Sequence, residues 1–298
     1  MRILPMCAET GSVKDLNRNE WLYEQKLDGV RCVATLGDET ELQSRSGNII
    51  TRKFPELAEL HRQVGKPCVI DGEIVGVDFN AVQHRIHVED RFKIKIAHAR
   101  YPIIYCVFDI LYVDGESVKE QALIERKEIL NHILSPSPEA KSLEWADSGE
   151  ALFEELTQQG MEGIMAKDRY AVYLEGKRCY SWLKVKNFKE AIFYVCGVTE
   201  GENDRSDTFG SLILGKLVEG KLAYVGNVGS GFTHGQLGGM LGVLKLYEDE
   251  CPFEERVDTD RPVKFWTRPE MRCEVRYLDM PGRPNDKLRF PTFRSVVP

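Results

Sequence analysis

Between residues 20 and 115 the apolar residues come in short runs rich in Val, Ile, Tyr and Phe, at 21–26, 32–36, 68–77 and 103–112. Turn-forming residues separate them. Runs of this kind form strands, and strands must pair side by side to satisfy their backbone groups. Helical spacing enters only in patches. Leu57, Leu60 and Val64 predict a helix over 54–64. Leu123, Ile124, Ile129, Leu130, Ile133 and Leu134 predict another over 121–134. A third is expected over 148–160, opened by Ser148 as N-cap with an acidic first turn and closed by Gly160. The segment SPSPEAKS at 135–142 reads as a surface loop.

After Lys189 the texture changes. Strand-like runs at 191–199, 211–217 and 221–228 alternate with glycine-rich turns, and a helical pattern covers 232–247. Further strands are expected at 263–266 and 272–277. About five strands and one helix in ~110 residues fit a small closed β-barrel, with an OB-fold as the leading arrangement. The expected fold class is α+β in two domains, 1–187 and 188–298, with the boundary near Asn187.

The chain has 298 residues, 42% hydrophobic and 29% charged, enough apolar material for two cores. That excludes a disordered tail, a collagen-like rod and a disulfide-knotted miniprotein. No apolar run approaches the ~20 residues of a membrane helix. The N-terminal MRILPMCAET lacks a signal-peptide core, so the expected location is cytoplasmic. Eight scattered cysteines without a C-x-x-C pair point to neither a zinc site nor a disulfide framework. The net charge of −7 excludes a uniformly basic nucleic-acid binder. The charge is uneven, however. Residues 165–189 hold seven Lys/Arg against two Asp/Glu, and residues 261–298 hold nine against four. Each stretch offers local positive charge to a polyanion.

The chemistry concentrates around Glu24-Gln-Lys-Leu-Asp-Gly-Val-Arg31. Lys26 ends an expected strand and Gly29 makes the turn. A lysine amine is nucleophilic only when neutral, which burial or neighbouring cations favour. Five more fragments follow: Ser44-Arg-Ser-Gly47, Asp71-Gly-Glu73, Phe108-Asp-Ile-Leu111, Glu162-Gly-Ile-Met-Ala-Lys167 and Ser181-Trp-Leu-Lys-Val-Lys186. Lys184 and Lys186, two apart, share one strand face.

In this order the fragments resemble the covalent nucleotidyltransferase superfamily of ATP-dependent DNA ligases, RNA ligases and mRNA capping enzymes. The resemblance covers nearly the whole chain. FGSLILG at 209–215, YVGNVGSGF at 224–232, LRFPTF at 288–293 and Leu4-Pro-Met6 are similar to the ligase domain of prokaryotic end-joining ligases of the ligase D type. The resemblance implies a nucleotidyltransferase domain of ATP-grasp-like antiparallel sheets with helices, followed by an OB-fold domain.

It also implies roles. Lys26 would attack the α-phosphate of ATP and carry AMP. Glu24 would accept from the adenine amino group, and Phe108 would stack on adenine. Arg31 and Arg45 would hold the ribose and later the 5′-phosphate of the nick. Glu73 and Glu162 would contact the ribose or hold Mg²⁺, or Mn²⁺ in its place. Lys184 and Lys186 would meet the α-phosphate, with Lys167 assisting. Arg289 and Arg294 would touch pyrophosphate or DNA. The implied function is DNA ligation in repair by non-homologous end joining, by a monomer at the prokaryotic nucleoid. Its partners would be nicked or broken duplex DNA and an end-joining polymerase, phosphoesterase and end-binding proteins. The R-x-D-K run that ends the last ligase motif is not in the sequence, so slow self-adenylylation is expected. With 25 residues before Lys26, no N-terminal DNA-binding domain is expected.

Three other patterns carry less. Gly210–Lys216 matches the start of a P-loop, but Leu217 follows where Ser or Thr is needed. The glycines of 226–231 fit a turn. His84 and His87 lack a third metal ligand nearby and read as surface residues. The competing functions are an RNA ligase or capping-type nucleotidyltransferase, and a non-catalytic nick-binding protein.

Overall fold

A computed structural model of the chain describes residues 2–77, 79–278 and 287–297. It forms two compact units, one up to Lys186 and one from Asn187 onward.

Among the described residues the first unit contains ten strands: β1 (Cys7–Thr10), β2 (Trp21–Gln25), β3 (Val30–Leu36), β4 (Thr40–Ser44), β5 (Cys68–Gly76), β6 (Ile103–Val113), β7 (Glu116–Ser117), β8 (Ala140–Ser142), β9 (Gly163–Asp168) and β10 (Arg178–Lys186). They make two sheets. One runs β4-β3-β5-β6-β7, with β8 alongside β6, and the other runs β1-β10-β9-β2. Pairing is antiparallel except for β1 with β10 and β6 with β8. The central strands β5 and β6 are apolar on both faces because both are covered. Ile70, Ile74, Tyr105 and Val107 join one core, while Val69, Phe108 and Leu111 join another with Val33 and Trp182. Continuous apolar runs are what such strands require.

The described residues also form α-helices: α1 (Phe79–His87), α2 (Arg91–Arg100), α3 (Leu123–Ile133) and α4 (Gly149–Gln158). Ser148 caps α4 by accepting from the Ala151 N–H, and Gly160 follows the helix at φ +70°. The helix expected over 54–64 is instead a series of 3₁₀ turns, Pro55–Leu57 and Leu60–Gln63. Phe54, Leu57 and Leu60 all reach the core, and their three-residue spacing matches the three residues per turn of a 3₁₀ helix. The expected surface loop 135–142 ends in β8, which Tyr105–Val107 recruits into the sheet.

The second unit contains β11 (Phe188–Thr199), β12 (Leu212–Val218), β13 (Lys221–Val228), α5 (His234–Lys245), β14 (Glu248–Asp249), β15 (Val263–Thr267), β16 (Arg272–Leu278) and β17 (Arg289–Val297). The long β11 changes partners along its length. Phe188–Tyr194 pairs with β16, and the remainder pairs with β12 and β15. Such partner switching bends a sheet toward closure. The core gathers Phe193, Val195, Phe209, Leu214, Val275 and Phe293 against Leu237, Met240 and Leu244 of α5. Among the described residues no helix is long and apolar enough to cross a membrane.

Candidate active site

A cleft of about 1060 Å³ opens in the first unit, lined by Lys26, Arg31, Arg45, Glu73, Phe108, Lys167, Trp182, Lys184 and Lys186 among others. Most of the fragments singled out in sequence thus converge on one cavity.

Lys26 follows directly on β2. Its backbone N–H donates to the Gly163 carbonyl at 2.9 Å, which ties the residue to the start of β9. Its Nζ then donates to Glu162 Oε2 at 2.7 Å. Glu162 Oε1 receives Lys186 Nζ, also at 2.7 Å. One buried carboxylate therefore holds two ammonium groups. Gly29 is required for space: a Cβ there would run into the Ile74 carbonyl oxygen. Gly29→Ala should lower unfolding stability by about 1–3 kcal/mol, measured by denaturant titration.

Behind Lys26 lies a buried ionic triad. Glu24 pairs with Lys127 of α3 and, at 2.6 Å, with Lys167 of β9. Burial pushes the Glu24 carboxyl up, but the two lysines outweigh it and hold it below the usual range. Burial and Lys127 bring the Lys167 amine down to about 8, against the pull of Glu24. Lys167 Nζ stands 4.3 Å from the Phe108 ring centre and 4.1 Å from that of Trp182. Arg31 lies over Phe108 at 4.5 Å, and its Nε and Nη2 each donate to Asp71 at 2.6 Å. Tyr173 Oη donates to the same carboxylate at 2.6 Å. Arg31 is thus fixed by a bidentate pair against the aromatic wall. Arg45 is exposed at the rim and donates to Cys7 Sγ at 3.4 Å. The Lys184 amine is lowered by burial and by Arg178, Lys186, Lys26 and Arg45.

Burial raises the Glu73 carboxyl to about 7, although Arg31 and Lys26 pull it down. A raised carboxyl stabilises the fold fully below pH ~4.5, and that contribution is lost as pH rises through 7. The difference is about 3 kcal/mol at one pKa unit per 1.36 kcal/mol. Glu73→Gln should flatten the fall in melting temperature between pH 5 and 8.

Among the described residues no three His, Cys, Asp or Glu side chains are grouped to hold an ion, His84 and His87 included. Both Glu162 oxygens already bind lysines. A hard cation fits near Glu73 only where phosphate oxygens complete its shell.

In the second unit, three of the cations of the 261–298 stretch pair with nearby carboxylates. Arg261 meets Glu202, Arg268 meets Asp249 and Glu270, and Arg294 meets Glu190 at 3.2 Å. Arg276 stacks on Phe188, and Arg289 lies over Phe290. Arg283 falls outside the described residues.

Sequence reasoning missed Lys127, Asp71 as the holder of Arg31, Arg178 and Trp182. Trp182 was accessible: the alternation that aligns Lys184 with Lys186 extends to it. Lys127 carried no signal beyond a charge inside a helical pattern.

Comparison with known proteins identifies the family. A family profile described as ATP dependent DNA ligase domain matches residues 5–186, and one described as ATP dependent DNA ligase C terminal region matches residues 205–297. The multifunctional non-homologous end joining protein LigD of Mycolicibacterium smegmatis is 31% identical over 99% of this chain and 38% of its own length. The SPbeta prophage-derived DNA ligase-like protein LigB of Bacillus subtilis is 34% identical over 67% of this chain and 73% of its own. The crystal structure of the ligase domain from M. tuberculosis LigD is 27% identical, covers 99% of this chain and 95% of its own, and superposes with a TM-score of 0.54. The chain spans less than half the length of the mycobacterial relatives. Fold and cleft together define a nucleotidyltransferase domain followed by an OB-fold domain. The chain belongs to the ATP-dependent DNA ligase family.

Proposed function

We propose that this chain is an ATP-dependent DNA ligase that joins 3′-hydroxyl and 5′-phosphate ends through a covalent Lys26–AMP. The observation that carries the reading is Lys26 Nζ at the cleft, hydrogen-bonded at 2.7 Å to Glu162 beside Lys184 and Lys186. Nζ bonds to the α-phosphorus of ATP as the bond to the β-phosphate oxygen breaks, and pyrophosphate leaves. Glu162 Oε2 is placed to accept the Nζ proton. Lys184 and Lys186 meet the charge that develops on the α-phosphate. The 5′-phosphate oxygen of a break then displaces Lys26 from the adenylate, and the 3′-hydroxyl oxygen attacks the activated phosphate with loss of AMP. Positioning and charge carry most of such transfers.

Phe108, Glu24 and Arg31 form the wall assigned to adenine and ribose, and Arg45 is placed at the rim for the 5′-phosphate. Mg²⁺ or Mn²⁺, when bound, would neutralise phosphate charge, with Glu73 as its protein ligand. Arg289 and Arg294 are assigned to pyrophosphate or DNA. The similarity to LigD supports a role in end joining in the cytoplasm, with a polymerase, phosphoesterase and end-binding proteins as partners. Sealing of a labelled nicked duplex tests the reading. Ligation of DNA with ATP and none with GTP is expected. Sealing of RNA nicks only, or use of GTP, would replace it with the RNA-ligase or capping reading.

A further inference from the structure

Helix α2 has no part in the chemistry above, and its surface is unusual. Asp90 caps it by accepting from the N–H groups of Phe92 and Lys93. The helix then reads RFKIKIAHAR, with four Lys/Arg and no acidic residue. Only Ala97 is buried, with Ile94 half-buried; Phe92 is 72% and Ile96 50% exposed. At 100° per residue, Phe92, Ile96 and Ala99 form one outward stripe. Lys93 and Arg100 flank it on one side, Arg91 and Lys95 on the other. His98 instead turns toward Glu56, at 3.3 Å. Among the described residues no carboxylate pairs with Arg91, Lys93 or Lys95. This differs from Arg261, Arg268 and Arg294 of the second unit, which pair with carboxylates. The helix packs on α1, whose Gln83, Ile86 and His87 line the cleft.

We propose that the outward face of α2 grips the duplex arm beside the nick, with its apolar stripe over a groove and a cation row on the phosphates of each strand. The proposal rests on the ligase reading above. An apolar stripe between two rows of unpaired cations complements a groove bordered by two phosphate backbones. Exposed Phe and Ile side chains contact sugar and base edges in such grooves. The cations supply affinity that does not depend on sequence. A protein partner would need acidic residues on both sides of an apolar ridge, and nothing in this chain selects for that.

The test is binding of the full chain to a fluorescent nicked duplex across a salt series, using wild type, Lys93→Ala/Lys95→Ala and Phe92→Ala. The double variant removes one cation from each row. Its affinity should fall about 30-fold near 0.15 M salt, and the slope of log K against log salt should flatten by about 1.8, at 0.9 per phosphate contact. Phe92→Ala should weaken binding several-fold with the slope unchanged. All three side chains are exposed, so melting temperatures should match wild type. If wild type binds and both variants bind with the same affinity and slope, this inference falls while the ligase reading stands. If wild type itself does not bind nicked duplex, both fall.

Discussion

Glu162→Gln is expected to slow adenylate formation about 10²–10³-fold. The carboxylate holds Lys26 and Lys186 at 2.7 Å each, one on either oxygen. A glutamine keeps the shape but offers one acceptor, no charge and a donor that faces an ammonium. Lys26 then loses both its direction and its proton acceptor. Removing a positioned acid–base group costs 10²–10⁴ in rate, and removing a preorganised charge partner has similar effects. Single-turnover adenylylation with excess ATP reads this directly. A loss below tenfold would mean that the Glu162 pairings are structural, without a catalytic task.

The second large effect is on stability. Glu24→Ala leaves Lys127 and Lys167 buried without their shared counter-charge. Breaking a buried ion pair in this way costs about 3–5 kcal/mol. For a domain of this size that lowers the melting temperature by about 10 °C. Lys127→Met alone should cost less than Glu24→Ala, because Glu24 keeps Lys167. Combining Glu24→Leu with Lys127→Met and Lys167→Met should recover much of the loss, since well-packed apolar replacements of buried ion groups are often neutral. Calorimetry of the variants checks the order. Equal losses for Glu24→Ala and Lys127→Met would show that the triad does not act as a unit.

Much of the catalytic unit was legible because its signals are local. Strands β5 and β6 are buried on both faces, so their apolar runs stand out without reference to anything else. Lys26, Glu162 and Lys186 lie at strand ends, where one or two residues fix a side chain's direction. What escaped depended on partners distant in sequence. Lys127 is meaningful only because α3 brings it to Glu24, about a hundred residues earlier. The 3₁₀ turns near Leu57 escaped because apolar residues spaced by three fit an α-helical pattern almost as well. α2 escaped because its apolar residues face outward, which inverts the signal that amphipathicity supplies. β17 was missed although LRFPTF was read as a motif, since a proline in a run argues against a strand; at an edge it is tolerated.

The position of the nucleophile is the central claim. The most direct measurement is intact mass of the protein after incubation with ATP and Mg²⁺, with peptide mapping of any adduct. A Lys26→Ala variant serves as control, and protein as isolated is weighed for AMP already bound. A single adenylate on Lys26, absent in the variant, is the predicted result. An adenylate on Lys184 or Lys186, or one that persists in Lys26→Ala, would contradict the account.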